Sequence, residues 1–170
     1  ALISRSARQR ARRATADRPH MTETARDRPT TMARLLGFGG LIPFVGLALA
    51  SWIASPAYQP ELVRSLVAYA ATIASFVGAL HWGAAMHRSD LNTTAALAWG
   101  VVPSLVAWLA LSMHATTALL LLSALLVTCF AVDRLVYPRM GLSGWLPMRL
   151  QLTAVATTSC VAAAVGTVAR

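Results

Sequence analysis

With 170 residues, 56% of them apolar and only 12% charged, the chain cannot dress itself in the polar surface that a water-soluble domain needs. Its net charge of +9 comes from fifteen arginines and no lysine, and nine of those arginines precede Leu35. Basic residues confined to a tail and to helix ends, with no aromatic interleaving and no recognisable module, argue against nucleic acid and for a lipid bilayer as the partner.

Residues 1–34 read as a disordered basic arm, rich in Arg, Ala, Thr, Asp and Pro and almost free of large apolar residues. Two explanations compete for its first part. Residues 1–20 hold six arginines against one acid, which resembles a mitochondrial presequence. Alternatively the native start is Met21 or Met32, and the residues before it are upstream sequence or a pro-segment. The abundance of Ala and Arg without lysine favours a GC-rich bacterial gene, hence a bacterial inner membrane, with a mitochondrial inner membrane as the alternative.

Residues 35–168 are expected to form an all-α, polytopic membrane bundle of about five transmembrane helices. Residues 35–53 are an uncharged run of 19, long enough to cross a hydrocarbon core at about 1.5 Å per residue. Ser55, Pro56 and Pro60 break the chain, and residues 62–86 form the second span, with Arg64 near enough to its end to snorkel. A polar turn at His87, Arg88, Ser89, Asp90 and Asn92 leads to the third span at 94–111. The fourth is expected at 117–132. A loop with Asp133, Arg134, Pro138, Arg139, Gly141, Gly144 and Pro147 precedes the fifth at 150–168. Placing the N-terminus in the cytoplasm or matrix puts thirteen arginines inside and only Arg64 and Arg170 outside. Trp52, Tyr58, Tyr69 and Trp108 then fall towards the outer interface, and Trp82, Tyr137 and Trp145 towards the inner one.

Small residues let membrane helices approach closely, and bulky ones can face lipid. In the second span Ala71, Ala74, Ser75, Gly78, His81 and Ala85 share a side, with Leu66, Ile73, Phe76, Val77 and Leu80 opposite. Ala154, Thr158, Ala162 and Gly166 make a comparable stripe in the fifth. Both stripes are expected at helix–helix contacts, within the bundle or with a second subunit or another membrane protein. The first and third spans each hold a Gly-x-x-Pro step, Gly40 to Pro43 and Gly100 to Pro103. Such steps kink helices and can mark a transporter site or an internal repeat, though glycine and proline are also simply common in membrane helices.

Three ionisable residues lie at or just inside the inner boundary: His81, Asp133 and Arg149. A charge near mid-bilayer costs about 2.5–3.5 kcal/mol on insertion scales, so such groups face inward and pair. Asp133 with Arg149 is the natural ion pair, and His81 can hydrogen-bond to either. The cluster is either a proton- or anion-linked polar site or an interfacial clamp joining three helix ends. No catalytic set emerges. Gly141-Leu142-Ser143-Gly144 superficially resembles the serine motif of intramembrane rhomboid proteases, which also need a histidine on a later helix, and none follows His114. His81 and His87 fall on different helix faces, His81 and His114 near opposite surfaces, so neither a metal nor a haem is expected between them. Cys129 and Cys160 are expected at different depths and unbridged. No cofactor is implied.

Several local patterns together resemble the domain-of-unknown-function family numbered 3429, whose animal relatives include transmembrane protein 69. They are Gly39-Gly40-Leu41-Ile42-Pro43-Phe44 and Ser75-Phe76-Val77-Gly78-Ala79-Leu80-His81-Trp82-Gly83 in the first two spans. Val102-Pro103-Ser104 with Trp108 follow in the third, then Asp133, Pro147, Arg149 and Leu152-Thr153. The resemblance covers about residues 33–168 and implies a small multi-helix protein of bacterial inner membranes or mitochondria, with no assigned activity, substrate or cofactor. It carries to Pro43, Phe44, His81, Trp82, Gly83, Pro103, Asp133 and Arg149. The leading expectation is a non-enzymatic membrane scaffold or assembly partner. The alternatives are a small transporter or channel and, more remotely, a membrane enzyme acting on lipid or quinone.

Overall fold

The computed structural model describes residues 28–87 and 93–169. The basic arm before residue 28, and Arg88, Ser89, Asp90 and Asn92 of the polar turn, lie outside the described residues. The described residues hold six α-helices and no strand: α1 (Thr31–Gly39), α2 (Ile42–Ile53), α3 (Gln59–His87), α4 (Thr93–Leu111), α5 (Ala115–Val136) and α6 (Leu146–Val168). Two 3-10 turns, Tyr137–Met140 and Ser143–Trp145, join α5 to α6. Counting α1 and α2 together as one bent span of 23 residues, five segments are long and apolar enough to cross a membrane.

The helix ends follow local chemistry. Helix α1 starts earlier than the apolar run because the Thr30 hydroxyl accepts from the Ala33 amide at 3.2 Å and caps it. The first span is not the single rod expected from its composition. It divides at Gly40 and Leu41, because Pro43, in the first turn of α2, has no N–H to return to the Gly39 carbonyl. The Tyr69 hydroxyl of α3 donates to the Gly40 carbonyl at 2.7 Å, and its ring meets Phe44 edge-on at 5.0 Å. Tyr69 therefore closes the bend inside the bundle instead of sitting in an outer aromatic belt. In α4, by contrast, Pro103 stays within one continuous helix. The two Gly-x-x-Pro steps thus produce different structures.

Helices α5 and α6 are both longer than their apolar runs suggested. Helix α5 continues a full turn past Val132 before Pro138 tightens the chain, and Gly141 turns it at φ 68°, a left-handed conformation that favours glycine. Helix α6 begins at Leu146 with Pro147 in its first turn, where a missing N–H costs nothing. Asp133 and Arg149 both lie inside helices as a result.

Helix α3 packs against α2, α4 and α5, and α6 closes the ring between α5 and α2. The interior is built of small side chains: Ala70, Ala74, Ala110, Ala118 and Ala163 are all fully buried. Large apolar groups such as Ile53, Phe76, Leu105 and Trp108 point outward. Small inside and bulky outside is the arrangement of helices packed in lipid. On α3 the expected small face is largely buried, but Leu66 and Val77, expected to face lipid, are buried too. Three neighbouring helices cover most of the circumference of α3 and leave only a narrow strip around Phe76 and Leu80. On α6 the expected stripe is displaced. Ala154, Thr158 and Ala162 face outward, whereas Ala156, Cys160 and Ala163 face the core and only Gly166, against Trp52, is buried as expected. That helix is small-residued on every side, so its composition does not single out one face.

Candidate functional site

His81 near the end of α3, Asp133 in the last turn of α5 and Arg149 in the first turn of α6 converge at one end of the bundle. His81 and Arg149, 68 positions apart in sequence, are thus brought within reach of a single carboxylate. The Arg149 Nε and Nη2 groups both donate to Asp133 Oδ2, at 2.9 and 2.6 Å. Asp133 is 0% exposed, so this charge-assisted pair is formed with no water around the carboxylate. The buried Tyr137, from the 3-10 turn, sets its hydroxyl against the same guanidinium. Three helices and the turn that links two of them are tied at one point.

His81 stands on the other side of the carboxylate. Its Nε2 lies 3.5 Å from Asp133 Oδ1, beyond hydrogen-bond length for this pair but close enough for direct attraction when the ring is protonated. Asp133 Oδ1 and both imidazole nitrogens are buried with no partner at full hydrogen-bond geometry, although the ring lies against the Val77 and Gly78 backbone. Arg149 thus satisfies one oxygen twice and leaves the other to His81.

Two cavities flank the cluster. One, of about 290 Å³, lies between α3, α4 and α5 and is lined by His81, Ala96, Trp99, Val132, Val136 and Met140. The other, of about 160 Å³, lies between the first span, α3, α5 and α6, with Phe44, Arg149 and Thr153 in its wall. Asp133 lines neither. The cluster is a plug between two pockets.

The remaining expected residues serve packing. Phe44 fills the core at the bend, with Gly40 and Pro43 setting the bend itself. Gly78 meets Gly100 and Pro103 where α3 crosses α4, and Trp82 Nε1 donates across that crossing to the Leu97 carbonyl at 2.8 Å. Gly83 and Trp108 are on the outer surface, Trp108 at 68% exposure. Trp99 and Tyr137 are the residues that sequence reasoning missed as neighbours of the cluster. A signal for Trp99 existed: it lies well inside its span, too deep for an interfacial belt. Tyr137 offered none, because an aromatic residue after a span reads as an interfacial anchor. Among the described residues no group of three or more His, Cys, Asp or Glu side chains is placed to hold a metal ion.

Comparison with known proteins places the chain among membrane proteins of unknown function. A family model described as a protein of unknown function (DUF3429) matches residues 29–165. Transmembrane protein 69 of Xenopus tropicalis is 42% identical over 84 residues, which cover 46% of this chain and 32% of that relative. The match thus spans about a third of the relative's length. No solved structure matches the chain.

Proposed function

Because the chain belongs to the DUF3429 family of proteins of unknown function, which carries no activity to transfer, we propose from its geometry that it is a non-enzymatic membrane scaffold or assembly partner. His81, Asp133 and Arg149 act in it as an interhelical clamp. The observation that carries this reading is the state of Asp133: fully buried, engaged twice by Arg149, and open to neither cavity. A group meant to carry a proton or an anion would need access to a path. Asp133 borders neither cavity itself, and only its partners His81 and Arg149 reach them.

The partner-facing part of the reading rests on the outer surface. Ala79 and Gly83 of α3 are exposed, and a Cβ added at Gly83 meets nothing within 4 Å. Small residues on a lipid-facing surface are where a helix from a second copy or another membrane protein can approach closely. Ala79→Leu and Gly83→Leu should therefore leave the bundle's own stability within about 0.5 kcal/mol of the parent. The same changes should shift or dissolve its complexes on a native gel. Complexes unchanged by both substitutions would remove this surface from assembly. The thirteen arginines on one side orient the N-terminus towards the cytoplasm of a bacterium, in its inner membrane, with the matrix side of a mitochondrial inner membrane as the alternative.

A transporter or channel is the second reading, favoured by one observation: His81 lines a cavity and stands 3.5 Å from the buried Asp133 carboxylate. On that reading reconstituted protein passes protons or a small anion, and His81→Ala abolishes the flux without unfolding the chain. Liposome flux that is absent, or indifferent to His81→Ala, leaves the clamp as the whole role of the cluster.

A further inference from the structure

We propose that the cavity of about 290 Å³ beside His81 is a binding site for a small membrane-soluble molecule, an uncharged ring bearing hydrogen-bond acceptors, of the quinone class. Its size suits one substituted ring, since ligand pockets begin at roughly 300 Å³. Its walls are mostly apolar, with Ala96, Val132, Val136 and Met140 facing the space. Three side chains in the wall are polar, the exposed Arg139 and two whose ring nitrogens are buried. Trp99 carries a buried Nε1–H with no partner, and His81, 2% exposed, borders the space with a ring whose nearest polar neighbours are Asp133 Oδ1 at 3.5 Å and the Val77 and Gly78 backbone.

Their chemistry selects the ligand. An indole nitrogen can only donate, and a neutral imidazole has one nitrogen that donates. An orphan indole donor in an apolar wall is matched by an acceptor on the guest, and a carbonyl-bearing ring supplies acceptors without a charge. A buried donor left unpaired costs about 1–3 kcal/mol, which a guest acceptor recovers on binding. A carboxylate is a poorer match. Arg139, the cationic group of this wall, is itself exposed, so an anion could pair with it without entering. Only binding is inferred here. It does not depend on the scaffold reading, whose test is the assembly state of the Ala79 and Gly83 variants.

The experiment is calorimetric titration of the purified full chain in micelles, corrected against empty micelles. Three probes are compared: a short-chain dimethoxy-methylbenzoquinone, trimethylbenzene as the ring without acceptors, and laurate as the anion. The benzoquinone should saturate at one per chain. Ala96→Phe, which fills the space, should weaken it at least about tenfold, and Trp99→Phe, which removes one donor, roughly three- to tenfold. Circular dichroism checks each variant's fold. Should Ala96→Phe misfold, Val132→Phe fills the cavity from its opposite wall, and Trp99→Phe decides alone if both fail. No saturable benzoquinone binding overturns the proposal. So does trimethylbenzene or laurate binding as tightly as the benzoquinone, or affinity unmoved by these substitutions.

Discussion

Arg149→Met should destabilise the bundle by about 3–5 kcal/mol, the usual penalty for removing one partner of a buried ion pair. The loss is dominated by what remains. Asp133 is 0% exposed, sits on a short side chain one turn inside α5, and has no route to water once its two hydrogen bonds are gone. The reverse change is milder. In Asp133→Leu the stranded group is Arg149, in the first turn of α6, whose side chain is already 12% exposed and can extend towards the membrane surface. The double variant Asp133→Leu/Arg149→Met removes both charges and should recover most of the loss, because an apolar pair of similar volume often equals or exceeds a buried ion pair. Denaturant titration in mixed micelles, followed by far-ultraviolet circular dichroism, measures all three. A clamp predicts the order Arg149→Met worst, Asp133→Leu next, double variant nearest the parent. Equal losses in all three variants would mean that charge pairing is not what the residues contribute.

The same residues mark how far the sequence alone reaches. Five spans were legible because long, nearly uncharged apolar segments find a stable place only in lipid, and the family match over residues 29–165 takes in nearly all of them. The Asp133–Arg149 pair was legible because a charge inside a span must find its counter-charge, and the membrane puts candidates at common depths. Helix length was underestimated by a turn. Hydropathy ends a span at the first charge, whereas the helix that contains Asp133 runs on to Val136 because the carboxylate is neutralised from α6. Direction around a helix axis was the least legible quantity. Leu66 and Val77 are bulky and buried, and Ala154, Thr158 and Ala162 are small and exposed, because neighbouring helices and not residue size decide which face is covered. Trp99 and Tyr137 were missed as neighbours of the cluster because what an aromatic ring touches depends on packing partners far away in sequence, and the depth of Trp99 in its span hinted only at burial.

Gly78 gives the second large effect, and here the comparison with Gly83 isolates its cause. Both are glycines of α3, separated by little more than one turn. A Cβ at Gly78 would stand 2.7 Å from the Gly100 carbonyl oxygen and 3.0 Å from the Pro103 ring, whereas one at Gly83 meets nothing within 4 Å. The obstruction is backbone, which cannot rotate away, so α3 and α4 must separate to admit even a methyl group. Replacing glycine by alanine in a helix otherwise gains up to about 1 kcal/mol of propensity. Gly83→Ala should therefore be neutral or slightly stabilising. Gly78→Ala should lose about 1–3 kcal/mol from overpacking, and Gly78→Leu more. The loss extends beyond the glycine, because the Trp82 hydrogen bond to the Leu97 carbonyl spans the same crossing and lengthens when the helices part. Within a bilayer the lost close contact is not offset by hydrophobic association, since lipid tails solvate the separated faces equally well. The same micellar unfolding measurement, with the Trp82 environment followed by fluorescence, tests the pair. Gly78→Ala as stable as Gly83→Ala would show that the two helices do not meet backbone to backbone at this point.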